Sequence, residues 1–270
     1  MNRWQIRVRA AALPVAFGIA LILWTARSYS TQSVVLVIAS LALAGSSLWS
    51  CRALFGARAA WIFLACGVTL GWIAEQTGSS FGWWFGQYTY TDVLGPRLGD
   101  VPIVIPLMWF GLCHIAFVMA SLALWRQPLA PDDSGWPGGA LTAALSAMIV
   151  TAFDLGADPY FVYQLKAWIM EKTDGYWFGE TVVGFAGWMV VGFAIVAAFQ
   201  ALARPRLEAV ASARGAAIPI AVYAGFIVFQ LLVSQPFELR VIALFAMGIP
   251  ALVAATACRQ WVCRLRAGAA

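Results

Sequence analysis

Eight apolar stretches, each close to the length that crosses a bilayer, leave this chain little choice of fold. They cover residues 10–26, 33–50, 59–76, 102–125, 138–156, 181–203, 216–234 and 240–258. A helix needs roughly 20 apolar residues to span a hydrocarbon layer of about 30 Å. Inside that layer every backbone polar group must be paired, which restricts spanning segments to helices or closed barrels. The first three stretches are the shortest, so seven helices is the alternative to eight. Hydrophobic residues make up 62% of the chain and charged ones 11%, outside the range of a soluble domain. The expected fold class is all-α: a polytopic integral membrane helix bundle forming a single transmembrane domain over 1–270.

Charge placement orients that bundle. With the N-terminus inside, the inner side holds Arg3, Arg7, Arg9, Arg52, Arg58, Arg126, Arg204, Arg206, Arg214, Arg259, Arg264 and Arg266. The outer side keeps Arg27, Arg97, Lys166, Lys172 and Arg240. Twelve of the 17 basic residues therefore lie inside, as positive-inside orientation requires. Acidic residues run the other way, with Asp132, Asp133 and Glu208 inside and the remaining 9 of 12 outside. The topology expected is N-in and C-in, in a bacterial cytoplasmic (inner) membrane. The net charge of +5 then marks orientation and implies no nucleic-acid partner. The basic N-terminus could imitate a secretory signal, but the apolar run ends through Leu23, Trp24, Thr25, Ala26 and Arg27, a poor cleavage site. It reads as a retained first helix.

Several chemistries find no residues to carry them. The single histidine, His114, cannot supply the ligand set of membrane di-iron enzymes, and it reads as a packing residue. No glycine-rich nucleotide fingerprint is present. The five cysteines show neither metal spacing nor a C-x-x-C pair and read as small apolar fillers. No cofactor and no metal are expected.

What remains is carboxylate chemistry among aromatics. Glu75 stands at the outer end of the third stretch and Asp154 about a turn inside the outer end of the fifth. Asp154 and Asp158 are four apart and share a face if the helix persists; Pro159 is expected to make Asp158 its last residue. A carboxyl at that depth must be paired, wetted or held neutral, and the neutral state is a proton donor. For Glu75 and Asp158 the alternative is a plain interfacial position in headgroup water. Two long outer loops, 77–101 and 157–180, are rich in aromatics, and they are expected to lie flat on the bilayer or fold back between helices. Tryptophan and tyrosine gather at interfaces for their amphipathic character alone. Around a carboxylic acid, however, their ring faces would stabilise a carbocation.

The run from Phe85 to Pro102 (FGQYTYTDVLGPRLGDVP), with Pro106-Leu107-Met108-Trp109-Phe110, resembles the membrane carotenoid-biosynthesis family that includes carotenoid 1,2-hydratases. So do Asp154-Leu155 with Asp158-Pro159, the run Gly175-Tyr176-Trp177-Phe178-Gly179, and Phe185-Ala186-Gly187-Trp188. The resemblance spans roughly 70–190. One departure is Gly184, where the family pattern leads us to expect an Asn; another is Gly179-Glu180-Thr181 in place of Gly-x-Pro. If that Asn orients water or substrate, Glu180 is the candidate substitute.

The resemblance implies hydration of the terminal 1,2 double bond of an acyclic carotenoid end group. In that reaction an acid protonates the alkene, a tertiary cation sits among aromatic faces, and water activated by a second carboxylate attacks it. The catalytic candidates are Asp154 as acid, with Glu75 or Asp158 positioning or activating water; the assignment is reversible. Substrate-binding candidates are Trp84, Tyr88, Tyr90, Asp92, Trp109, Tyr176, Trp177, Phe185 and Trp188. Partners expected are a lipophilic carotenoid, membrane lipids and neighbouring carotenoid-pathway enzymes. Competing readings are a cyclase, which starts from the same protonation, a non-catalytic carotenoid- or lipid-binding protein, and a transporter.

Overall fold

The computed structural model describes residues 3–208 and 212–267, and helices dominate it. In chain order they are α1 (Arg3–Ser28), α2 (Thr31–Phe81), α3 (Val104–Trp125), α4 (Gly135–Pro159), α5 (Val182–Ala203), α6 (Ala213–Val233), α7 (Phe237–Ile242) and α8 (Gly248–Ala267). A π-helical turn at Ala243–Met247 joins α7 to α8. Among the described residues six helices are long and apolar enough to cross a membrane, and Ala12–Ser28 is a shorter apolar one.

That count of six to seven falls below the expected eight for a local reason. The second and third apolar stretches run into one helix, α2, of 51 residues. At 1.5 Å per residue a straight helix of that length would extend roughly 77 Å, over twice a hydrocarbon layer. Gly56 prevents it: with φ 83 and ψ 170 it leaves the helical region and turns the chain between two helical arms. The backbone of Glu208 closes over this turn, its N–H donating to the Leu54 carbonyl at 2.9 Å.

The centre of the bundle is α3. Its 22 residues include no Asp, Glu, Lys or Arg and are buried on all faces from Trp109 to Leu122, as expected of a helix surrounded by others. It packs against α2, α4, α6 and α8, with the closest approach along α2. Small residues permit that approach. A Cβ on Gly67 would lie 2.6 Å from the Phe110 Cα, and one on Gly71 would lie 2.9 Å from the Trp109 side chain. Ser50 and His114 fill the middle of the interface. Ser50 donates to the Gly215 carbonyl at 2.7 Å, and its hydroxyl lies 2.9 Å from the His114 Nε2. The expected packing role suits this buried histidine, and Cys51, Cys66, Cys113 and Cys258 are buried free thiols while Cys263 is exposed.

At the end of the bundle opposite Gly56 the two long loops do fold back, and they pair with each other. β1 (Tyr88–Tyr90) runs antiparallel to β4 (Trp168–Met170), with Tyr88 opposite Met170 and Tyr90 opposite Trp168. Between them in sequence, β2 (Arg97–Leu98) and β3 (Val101–Pro102) form a second short ribbon leading into α3. The loops are shorter than expected. α2 continues to Phe81, where Gly82 caps it at φ 70. α4 does not stop at Asp158: it includes Pro159 and continues as a π-helical turn to Gln164. The helix therefore persists past both aspartates and keeps them on one face.

Gly67→Ala should force α2 away from the α3 backbone and lower the thermal midpoint in detergent, at about 1–3 kcal/mol for an overpacked contact. Gly45→Ala, where an added Cβ meets nothing within 4 Å, should leave the midpoint unchanged or slightly raised.

Candidate active site

The β1–β4 ribbon roofs a cavity of about 50 Å³, more than the ~10–15 Å³ that one water molecule requires. Glu75, Asp154 and Asp158 all line it. So do Tyr88, Tyr90, Trp109 and Trp188 among the expected substrate contacts. The three carboxyl candidates and four of the nine substrate candidates thus share one chamber.

Glu75 is the most completely bound of the acids. It reaches in from α2, is 6% exposed, and accepts from three donors on two other elements of the fold, β1 and α3. The Trp109 indole donates to Oε1 at 2.7 Å, and the Tyr90 hydroxyl donates to Oε2 at 2.7 Å. The Tyr88 hydroxyl closes on Oε2 as well. Alternation along β1 puts Tyr88 and Tyr90 on the same inward face, with Thr89 between them turned outward. Burial pushes both phenols well above their usual range, reinforced by the adjacent Glu75 carboxyl, so they remain neutral donors. Three donors on two oxygens make a fitted cradle for a carboxylate.

Asp154 is placed differently. It is 2% exposed, and its Oδ2 has no hydrogen-bond partner among the described residues. One turn later Asp158 accepts from the Trp168 indole at 3.2 Å. Trp168 itself stacks on Phe161 at a centroid distance of 5.3 Å and 12°. Near Asp158 stands Glu180, 2% exposed, whose Oε1 has no hydrogen-bond partner among the described residues. Its backbone is fixed by a bridge to Trp177, and burial pushes its carboxyl up from the usual range.

The remaining wall is apolar and aromatic. Trp109 and Trp188 pack at 4.4 Å and 32°, and Phe85 lies over Trp109 at 6.2 Å and 29°. Ile105, Met108 and Leu112 from α3, with Phe153 and Ala157 from α4, complete it. Among the described residues no three His, Cys, Asp or Glu side chains converge to hold a metal ion.

Five expected substrate contacts stand elsewhere. Asp92 is 84% exposed and bound to Arg97 at 2.8 Å. Tyr176 projects fully into the surroundings. Trp84 is exposed, its indole donating to the Thr77 hydroxyl at 3.0 Å. Trp177 anchors its loop by donating to the Leu155 carbonyl at 2.8 Å, and Phe185 packs edge-on against it. These residues do not line the chamber. Conversely, Phe85, Phe161, Trp168 and Phe153 do line it and are not among the expected contacts. The signal available for Trp168 was the alternation Trp168-Ile169-Met170, which is short and hidden in an aromatic-rich loop.

The carotenoid biosynthesis protein family matches this chain over residues 31–254. The bisanhydrobacterioruberin hydratase of Haloarcula japonica is 31% identical over 129 residues, which are 47% of this chain and 40% of that relative. The chain thus matches less than half the length of this curated relative. No solved structure matches.

Trp109→Phe keeps an aromatic ring but removes the indole N–H that donates to Glu75 Oε1. The expected result is a loss of about 1–3 kcal/mol from the unpaired buried carboxyl oxygen, read as a lowered thermal midpoint. An unchanged midpoint would remove Glu75 from its place as the anchor of the roof.

Proposed function

The chain belongs to the carotenoid biosynthesis protein family, and we propose that it is a carotenoid hydratase adding water to the terminal 1,2 double bond of an acyclic end group. The observation that carries this reading is the pairing of unlike carboxyls in one aromatic chamber. Asp154 presents an unpartnered oxygen, and Glu75 is cradled by three donors. The hydratase relative supports the same reaction class.

In the proposed reaction the Asp154 O–H gives its proton to the less substituted carbon of the terminal alkene. The alkene π electrons form the new C–H bond and leave a tertiary cation. Trp109 and Trp188 offer ring faces to that cation, and the Glu75 carboxylate supplies the opposite charge. A water positioned by Asp158 attacks through oxygen and loses a proton to the Glu75 or Asp158 carboxylate. That proton then returns to Asp154, so the cycle is balanced by the addition of one water. General acid and general base steps are each worth about 10²–10⁴-fold. The bulk of the polyene would lie along the bundle in lipid, its reacting end under the roof. The arginine distribution supports N-in, C-in placement in a bacterial inner membrane with this roof outside.

The test is expression in a bacterium that accumulates an acyclic carotene, beside an Asp154→Asn variant, with pigment mass and retention measured. The wild type should add one or two waters, with oxygen drawn from labelled solvent. Asp154→Asn should lose about 10²–10⁴-fold in rate while its thermal midpoint holds. An isomer of unchanged mass and shifted absorbance would replace the hydratase reading with a cyclase. Bound but unaltered pigment in the wild type would replace it with a binding protein.

A further inference from the structure

Gly184 stands in the first turn of α5, where its N–H donates to the N-cap hydroxyl of Thr181 at 3.4 Å. Glycine is a poor choice for such a position, since it loses more backbone freedom on folding than any other residue. A glycine inside a helix is usually explained by a strained backbone or by a neighbour that leaves no room for a Cβ. Neither holds at this position. Gly184 does not have the left-handed φ of Gly56, Gly82 or Gly179. A Cβ built on it would meet nothing nearer than the Phe85 carbonyl oxygen at 3.7 Å and Thr181 Oγ1 at 3.9 Å, both ordinary contacts.

Gly187, one turn further on, gives the contrast. A Cβ there would collide with the Trp84 carbonyl oxygen and lie 2.8 Å from the Phe85 ring. The close approach of α5 to the 82–87 turn requires that glycine. Gly184 has no such requirement, yet its bare backbone forms part of the chamber wall, beside Trp188 on the same helical face. It is the single glycine among the residues lining the chamber. With only about 50 Å³ open, each added carbon at position 184 takes a large share of the available room.

We propose that Gly184 is a specificity-determining residue, whose missing side chain leaves the space for the branched end group and sets the largest terminus the chamber accepts. This rests on the isoprenoid reading of the site. The reacting terminus would lie against the Gly184 backbone, with Trp188 and Trp109 beyond it and Asp154 across the chamber.

The test is a series, Gly184→Ala, Gly184→Val and Gly184→Leu, made in the full chain with Gly187→Ala as a packing control. Turnover should fall stepwise, by about tenfold at Val and about a hundredfold at Leu, while thermal midpoints stay at or above wild type. Gly187→Ala should instead lower the midpoint. With two acyclic carotenoids that differ in bulk at the terminus, Gly184→Val should penalise the bulkier more. A structural defect would penalise both equally, and that result overturns the proposal, as does wild-type turnover in Gly184→Leu. If the wild type retains pigment without converting it, the hydratase reading fails, and pigment retention across the series decides the role of Gly184. If the wild type neither retains nor converts an acyclic carotenoid, both fail.

Discussion

The three donors that converge on Glu75 hold the rest of this site in place. A carboxyl brought this deep costs a great deal unless its oxygens are paired. Here the pairing is drawn from two segments distant in sequence: β1 through Tyr88 and Tyr90, and α3 through Trp109. The bonds close the end of α2 against the centre of the bundle and pin one strand of the roof. Pairing of β1 with β4 carries that constraint to Trp168, whose indole reaches Asp158. One buried acid thus fixes the position of a second through a path of strand pairing and aromatic packing.

That arrangement separates two acids that composition alone treats alike. Glu75 is surrounded by donors, while Asp154, on a different helix, has an oxygen with none. The difference arises from which element faces each residue. Glu75 meets the two inward tyrosine hydroxyls of β1 and an indole N–H, whereas no donor reaches Asp154 Oδ2 among the described residues. Pairs of titratable groups driven apart by their surroundings are what acid–base chemistry at neutral pH requires. Glu180 extends the pattern: it stands near Asp158 and supplies a further carboxyl from the second loop.

Much of the fold could be read directly from apolar length and charge. Helix ends fell within a few residues for α3, α5 and α6, because hydrocarbon thickness sets span length in sequence as it does in space. The helix count could not be read so directly. Gly56 turns α2 through a φ that glycine tolerates; it stands in the interval 51–58 between the second and third apolar stretches, and that interval gives no sign of whether a loop separates the two helical arms or a single glycine turns one into the other. Pro159 misled in the other direction, since the chain absorbs it by passing into a π-helical turn. In the site, the carboxyl depth of Glu75, Asp154 and Asp158 was legible because acids in such segments are rare. The aromatic lining was only half legible. Tryptophan and tyrosine serve both as membrane anchors and as cavity walls; Trp109 and Trp188 are placed by α3 and α5, while Trp168 differs from the exposed Trp84 and Tyr176 only in the pairing of loops. The β1–β4 register decides that, and it joins segments about 80 residues apart with no local signal.

The chamber's two kinds of wall bear on how water could be managed in the proposed reaction. Toward the membrane interior it is closed by Ile105, Met108 and Leu112 of α3 and by ring faces, surfaces that offer water no hydrogen bond. Toward the loops it is lined by Glu75, Asp158 and the two tyrosines of β1, which offer several. A water inside would be drawn to the loop side, while an apolar terminus would settle against α3 and α5. A cation formed on that terminus would then lie between its counter-charge and its nucleophile. A cyclase would need the loop side dry, so that an internal double bond reaches the cation before water does. A chamber lined by three carboxyls and two phenols is poorly suited to staying dry, and this favours hydration over ring closure on physical grounds independent of any relative.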